Sequence, residues 1–307
     1  MTKPIAILGV FVADTAYRAD RPPRMGETIM GNSFALGPGG KGSNQAVAAA
    51  RAGGDVHFIS KLGRDPFADM ALATWADAGV HPAVTQHEDS YTGAAYIFIE
   101  EDSGNNAIII CPGVAGTISA ADVEGQRGLI EGAGIFMTQL EQPMEAAVAG
   151  LQIAREAGVT TILNPAPAAP LPDGMLALCD YVTPNETEAE ALTGITVAST
   201  ADAIRAAQHL LDQGVGTAII TLGENGVLLH DGTTPVHVPV VRAGPVVETT
   251  GAGDAFNGGF ATGLSQGMAP AEAARFGCAT AGISVTRAGT APSMPSRAEI
   301  ERILESL

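Results

Sequence analysis

Asp254 closes the run Gly251-Ala252-Gly253-Asp254 within ETTGAGDAFNGGF, residues 248–260, and three small residues ahead of a carboxylate could handle an anion. If a helix begins near Gly253, the amides of Gly251, Ala252 and Gly253 converge at its N-terminus, where partial positive charge favours a phosphate. Asp254 in the first turn would sit beside that anion, placed to accept a proton from an attacking hydroxyl. The competing reading is dipole compensation by an acidic first-turn residue, which needs no ligand. The small residues in front and Gly258-Gly259 behind lean toward the first reading.

Three other stretches carry residue types with chemical use. In GPGGKGSNQ, residues 37–45, Gly37, Gly39 and Gly42 satisfy GxGxxG, and Lys41 invites a Walker reading. Neither survives its context: about thirty residues separate this run from the first strand, and Gly42 follows Lys41 where a Walker loop needs Ser or Thr. Four glycines at a helix start still bring backbone close to something, either a polar ligand held by loop amides, Lys41 and Asn44, or a tightly packed helix entry. In PNETEAE, residues 184–190, Asn185 and Glu188 fit the N-cap and N3 positions of a capping box. The same oxygens suit Mg²⁺, directly or through water. TLGENG, residues 221–226, is a strand-to-glycine turn where nucleotides commonly bind, or equally a hairpin into GVLLH. No GxSxG or HExxH occurs, and His57, His81, His87, His209, His230 and His237 show no ligand spacing, which leaves them surface or structural roles. Trp75 reads as core.

The elements that must position these residues alternate. PIAILGV reads as a strand within a buried run from Ile5 to Ala13, GETIMGNSFAL as an extended segment and SNQAVAAARAG as a helix. DVHFISK, PFADMALATWADAG and a polar turn follow. GAAYIFIEEDSGNNAIIICPG breaks the rhythm as two strands around a turn. Alternation resumes from GIFMTQLE to GVLLHDG, and the C-terminal part is helical. Such an order predicts a mainly parallel sheet covered by helices on both faces. The odd pieces, about 12–36 and 90–111, would pair as a small lid sheet at the carboxyl edge of the large one. No repeat or linker divides the chain, so residues 1–307 read as a single domain.

Composition bounds the partners. The 307 residues are 46% hydrophobic and 16% charged, which predicts a sizeable core. A formal net charge of −17 argues against a nucleic-acid surface, which needs a basic field. It leaves room for small anions in a nest of amides. No stretch approaches the roughly eighteen apolar residues of a spanning helix. Cys111, Cys179 and Cys278 lie far apart, without CxxC spacing, and the reading is a reduced cytoplasmic protein.

Taken together, GGKGSNQAVAAARAG, MTQLE, LNPAP, PNETEAE, TLGENG and TTGAGDAFNGGF stand in the order and spacing of the ribokinase-like carbohydrate kinases, and the chain resembles that family over nearly its whole length. The resemblance implies a three-layer α/β/α sandwich with a mainly parallel central sheet and a small β-sheet lid that also forms a homodimer contact. It implies ATP-dependent phosphorylation of D-ribose at its 5-hydroxyl; 2-deoxyribose, another pentose, a ketohexose or a nucleoside is the alternative substrate. A silent sugar or nucleotide sensor on the same fold is a further alternative, against which the intact Asp254 stands. Asp254 would be the base and Gly251, Ala252 and Gly253 the anion hole. Asp14, Gly40, Lys41, Gly42, Ser43, Asn44 and Glu141 would bind the sugar. ATP would lie along Asn185, Thr221, Leu222, Gly223, Glu224, Asn225, Gly226 and Gly253, with Cys278 near the adenine. Glu188, with Asn185, would hold Mg²⁺ through water. Glu248, Thr250, Ser284, Arg287, Gly289 and Ser293 would surround a monovalent cation, usually K⁺. Three positions depart from the family pattern: Val12 replaces an Asn two places before Asp14, Glu248 replaces an Asp, and Cys278 replaces a polar residue. Loss of a buried hydrogen-bonding partner at Val12 bears on sugar discrimination.

Overall fold

A computed structural model describes residues 3–307. Strands β1 (Ile5–Leu8), β2 (Val12–Ala19) and β3 (Ser33–Gly39) lead to helix α1 (Lys41–Arg51). β4 (Val56–Gly63), α2 (Pro66–Ala78), β5 (His81–His87), β6 (Thr92–Glu100) and β7 (Asn106–Gly113) follow. The middle of the chain holds α3 (Ala120–Glu124), α4 (Arg127–Gly132), β8 (Ile135–Thr138), α5 (Met144–Glu156), β9 (Thr160–Leu163) and β10 (Tyr181–Val182). Then come α6 (Glu186–Thr193), α7 (Thr200–Asp212), β11 (Thr217–Thr221), β12 (Val227–His230) and β13 (Val236–Val238). The chain ends in α8 (Ala252–Ser265), α9 (Pro270–Ser284) and α10 (Arg297–Glu305).

Among the described residues the large sheet runs β13-β12-β11-β10-β9-β8-β1-β4-β5, parallel from β11 to β5 and antiparallel through β12 and β13. Its strands alternate sides as a period of two requires. Ile5, Ile7, Phe58, Met137 and Ile219 face one core with residues of α1, α2, α8, α9 and α10. Ala6, Leu8, Ile59, Phe136 and Ile220 face a second core with α3 to α7. The three layers follow from that alternation. The small sheet runs β3-β2-β6-β7, with β2 and β6 parallel and the outer pairs antiparallel.

The structure corrects four local expectations. The run from Ile5 to Ala13 is not one strand: it breaks after Leu8, and β2 leaves for the small sheet. Gly9 lies where a Cβ would stand 2.7 Å from the Gly42 Cα, so the chain turns away where α1 presses against it. Of GETIMGNSFAL only the residues from Ser33 onward are strand. The polar stretch after α2 forms β5, an edge strand whose exposed side needs no apolar residues. Helices α3 and α4, of 5 and 6 residues, are too short to leave a periodic signal.

Candidate active site

The predicted residues gather where the parallel strands end. Asp254 is the third residue of α8 and only 8% exposed. Both of its oxygens accept hydrogen bonds from α1: Asn44 Nδ2 reaches Oδ2 at 3.0 Å and Gln45 Nε2 reaches Oδ1 at 3.0 Å. Residues 41, 44 and 45 share one helical face, which is why a single helix start supplies so much of the site. Gly251 caps α8 in the left-handed region (φ 81°), with Thr290 packed where its Cβ would be. The Ala252 amide donates to the Thr249 carbonyl at 3.1 Å and closes the turn. The amides of Gly251 and Gly253 meet no acceptor among the described residues, so two of the three expected donors are left for an anion.

A second group of carboxylates faces the same space. Asp14 on β2 lies against Gly39, which has no room for a side chain, and Glu141 follows β8 and accepts the Lys41 amide at 2.8 Å. Burial, and then the charge of Asp254, push Asp14 up to about 6. Burial pushes Glu141 up to about 7, against the pull of Lys41. Burial raises Asp254 too, opposed by Lys41 and the two amide donors. Three neighbouring carboxylates, two of them near Lys41, select a neutral ligand with several hydroxyl donors rather than another anion.

The remaining assignments divide. Ser43 turns away from this space: its hydroxyl accepts the Trp75 indole N–H at 2.9 Å, and both side chains are buried. Gly42 and Gly40 serve close backbone packing, Gly40 (φ 89°) against the Val10 carbonyl. Asn185 and Glu188 form the capping box, with bonds of 2.8 and 2.9 Å. The cap engages one Glu188 oxygen, and burial raises this carboxyl. Its other oxygen is available, which fits a water-mediated contact to a hard cation. Among the described residues no three His, Cys, Asp or Glu side chains converge as a metal cage, so Mg²⁺ at this edge would need phosphate oxygens and water as further ligands.

On the other side of Gly253 lies a cavity of about 320 Å³. Thr221, Gly223, Glu224, Gly226, Gly253 and Cys278 all line it, and its walls are largely apolar. Leu222 and Asn225 do not: Leu222 is buried in the core, and the Asn225 carbonyl is bonded to His237 at 2.6 Å. TLGENG forms the hairpin between β11 and β12, and four of its residues also wall this cavity. The opposite wall, Val240 to Gly244 with Val246, was missed, because PVVRAGPVV has no periodicity to single it out. Burial raises the Cys278 thiol to about 12, so it is a small apolar contact here.

The proposed cation residues form one loop cluster. Glu248 accepts the Gly289 amide at 2.8 Å, and its own amide donates to the Val285 carbonyl. The Ser284 carbonyl accepts the Arg287 amide, and the Ser293 carbonyl accepts Arg287 Nη1 at 3.5 Å. The Arg287 guanidinium is paired with Glu299 on α10 at 2.5 Å. Thr250 sits between Glu248 and the anion turn. Carbonyls and one carboxylate are an oxygen-only donor set, which suits an alkali cation. Sequence reasoning also missed Gln45, Gln139, Asn164 and Asn257, whose buried amides connect the site to the sheet; Gln45, next to Asn44 in SNQ, was within reach of the helical spacing.

The sequence matches the pfkB family carbohydrate kinases over residues 4–297. The chain belongs to that family. This carbohydrate kinase is 39% identical to the ribokinase of Haemophilus influenzae over 308 residues, covering 99% of each chain. It is 36% identical to the deoxyribokinase of Salmonella typhi, with 95% of each covered. The Arabidopsis thaliana ribokinase structure complexed with ribose and ATP superposes with a TM-score of 0.93, at 32% identity and 99% coverage of both chains. The doubly covered parallel sheet and the smaller sheet are thus the family's architecture.

Proposed function

We propose that this carbohydrate kinase transfers the γ-phosphoryl group of ATP to the 5-hydroxyl of D-ribose. The observation that carries the reading is the place of Asp254, between a carboxylate-rich hollow and an apolar cavity, at the helix start whose amides face outward. The resemblance to ribokinases over almost every residue supports the same conclusion.

Asp14, Lys41, Asn44 and Glu141 hold the sugar by its hydroxyls. Asp254 accepts the proton of the reacting hydroxyl as its oxygen bonds to the γ-phosphorus. The bond to the β–γ bridging oxygen breaks, ADP leaves, and Asp254 returns its proton to solvent. Gly251 and Gly253 donate to the transferring group, where negative charge gathers. The adenine fills the apolar cavity near Cys278, and Thr221, Gly223 and Gly226 flank the nucleotide. Glu188 and Asn185 would hold Mg²⁺ through water, and the ion would supply positive charge at the phosphate oxygens. Glu248, Thr250, Ser284, Arg287, Gly289 and Ser293, many of them through backbone carbonyls, would hold a monovalent cation such as K⁺ beside the anion turn. The chain pairs as a homodimer through the small sheet, which also lies over the sugar as a lid within a single domain of residues 1–307. Three cysteines without a disulfide fit a reducing compartment such as the cytoplasm.

One observation favours a second substrate, 2-deoxyribose. Val12, 4% exposed at the start of β2, puts an alkyl group two residues before Asp14. An apolar side chain there favours a sugar with one hydroxyl fewer. ADP release measured across ribose, 2-deoxyribose, fructose and inosine, with and without K⁺, tests both readings. Ribose gives the highest kcat/KM under the first and 2-deoxyribose under the second; preference for fructose or inosine defeats both. Asp254→Asn is expected to lower kcat by about 10³-fold or more while sugar binding stays measurable by calorimetry.

A further inference from the structure

Among the buried amides to which the reaction assigns no role, one touches the proposed base itself. Gln45 on α1 is fully buried, and every polar atom of its amide is committed. Nε2 donates to Asp254 Oδ1 at 3.0 Å and to Asn164 Oδ1, after β9, at 2.9 Å. Oε1 accepts from Gln139 Nε2, after β8, at 2.6 Å. Asn164 is itself anchored by donation to the Thr183 carbonyl at 3.2 Å. These partners fix the direction of the Gln45 amide. Turned over, its oxygen would face two other oxygens, and its nitrogen would face the Gln139 nitrogen. A burial-tight chain of amides thus delivers one hydrogen bond to a carboxylate 209 positions away.

Resting on the assignment of Asp254 as the base, we propose that Gln45 is a positioning residue for phosphoryl transfer. Its locked amide, with Asn44 on the other oxygen, fixes the carboxylate plane and leaves the remaining lone pairs of Asp254 for the sugar hydroxyl. A donor to the ionised form also holds the buried carboxylate ready to accept a proton. The charged groups around Asp254 are Lys41 on α1, Asp14 on β2, Glu141 after β8 and Glu188 on α6. Gln45 bonds to none of them, so the difference between native and variant pH profiles reads Asp254.

The test is Gln45→Met, close in shape and without the donor, with steady-state rates taken across pH. Expected are a kcat lower by about 10- to 100-fold and a sugar KM within about 3-fold of native. The acidic limb of kcat/KM should move up by about one pH unit. A residue that only fills the core would lower thermal stability without moving the limb, and an unmoved limb overturns the proposal. Should Gln45→Met not fold, Gln139→Met leaves the Asp254 contact possible but frees the amide to rotate. It should cost about 3- to 10-fold in kcat with a limb shift in the same direction, and again an unmoved limb overturns the proposal. Asp254→Asn, run in parallel, separates the two assignments. Turnover surviving in that variant defeats the base; turnover lost there but native-like in Gln45→Met defeats the positioning role alone.

Discussion

At the scale of single residues, the site is held away from its own electrostatic preference. Glu141 and Asp254 lie near Lys41 and Asp14 lies near both carboxylates, and each carboxyl is pushed toward its neutral form, first by burial. The consequence for stability has a definite sign. Glu141 titrates near 7 when folded, above its ordinary 4.5, so the folded chain binds the proton more tightly than the unfolded one. That contribution is fully present below about pH 4.5 and is lost as the pH rises through about 7. Glu141→Gln removes the group that must ionise. Relative to the native chain without ligands, the variant should gain about 3 kcal/mol of stability between about pH 4.5 and about pH 8. Urea unfolding at the two pH values measures it, and a stability difference that does not change with pH would contradict the raised Glu141. Sugar binding should suffer in the same variant, because a carboxylate acceptor is replaced by an amide.

At the scale of elements, the chemistry was more legible than the scaffolding. ETTGAGDAFNGGF announced its helix start because small residues before an acid are both a cap and an anion cradle, and α8 begins there. The capping box at Asn185 and Glu188 was legible for the same local reason. Long-range choices were not. Nothing within Ile5–Ala13 says that the strand must stop at Leu8, since the reason lies in Gly42, more than thirty residues on. Likewise nothing near Ser43, which the resemblance placed with the sugar, says that its hydroxyl accepts the indole N–H of Trp75 on α2 instead. The Gly9–Gly42 contact makes a direct prediction. A Cβ at Gly42 would stand 2.7 Å from the Gly9 Cα and as close to the Gln139 side-chain oxygen. Gly42→Ala should therefore cost about 2 kcal/mol in denaturant unfolding, and α1 should carry Lys41, Asn44 and Gln45 out of register, with a loss of kcat. A variant as stable and active as the native chain would show that the contact relaxes freely.

At the scale of the whole molecule, the small sheet is left with one face it does not need for its own core. Strand register places Tyr17, Phe34, Leu36, Tyr96 and Ile109 on one side, opposite the side that carries Asp14. These five side chains are 38% to 63% exposed, and Tyr17 touches the rings of Phe34 and Tyr96 at centroid distances of 5.0 and 5.5 Å. A contiguous apolar patch of this kind marks an interaction surface rather than ordinary exposure. Because the other face of the same strands bears Asp14, pairing two chains here would stiffen the sheet that carries this proposed sugar contact. A substitution on the outer face should then act on assembly first and on sugar binding second. Ile109→Lys places an ammonium on the outer strand β7 of the patch, where burial in a pair without a partner charge costs several kcal/mol. The native chain should sediment at twice its single-chain mass and the variant at the single-chain mass. The sugar KM should rise in the variant while the kcat at saturating sugar changes by less than about 3-fold, since Asp254 and its amide donors belong to the large domain layers and are untouched. A variant that still sediments as a pair would place the interface elsewhere, and a native chain of single mass would leave this apolar face without a second copy to cover it.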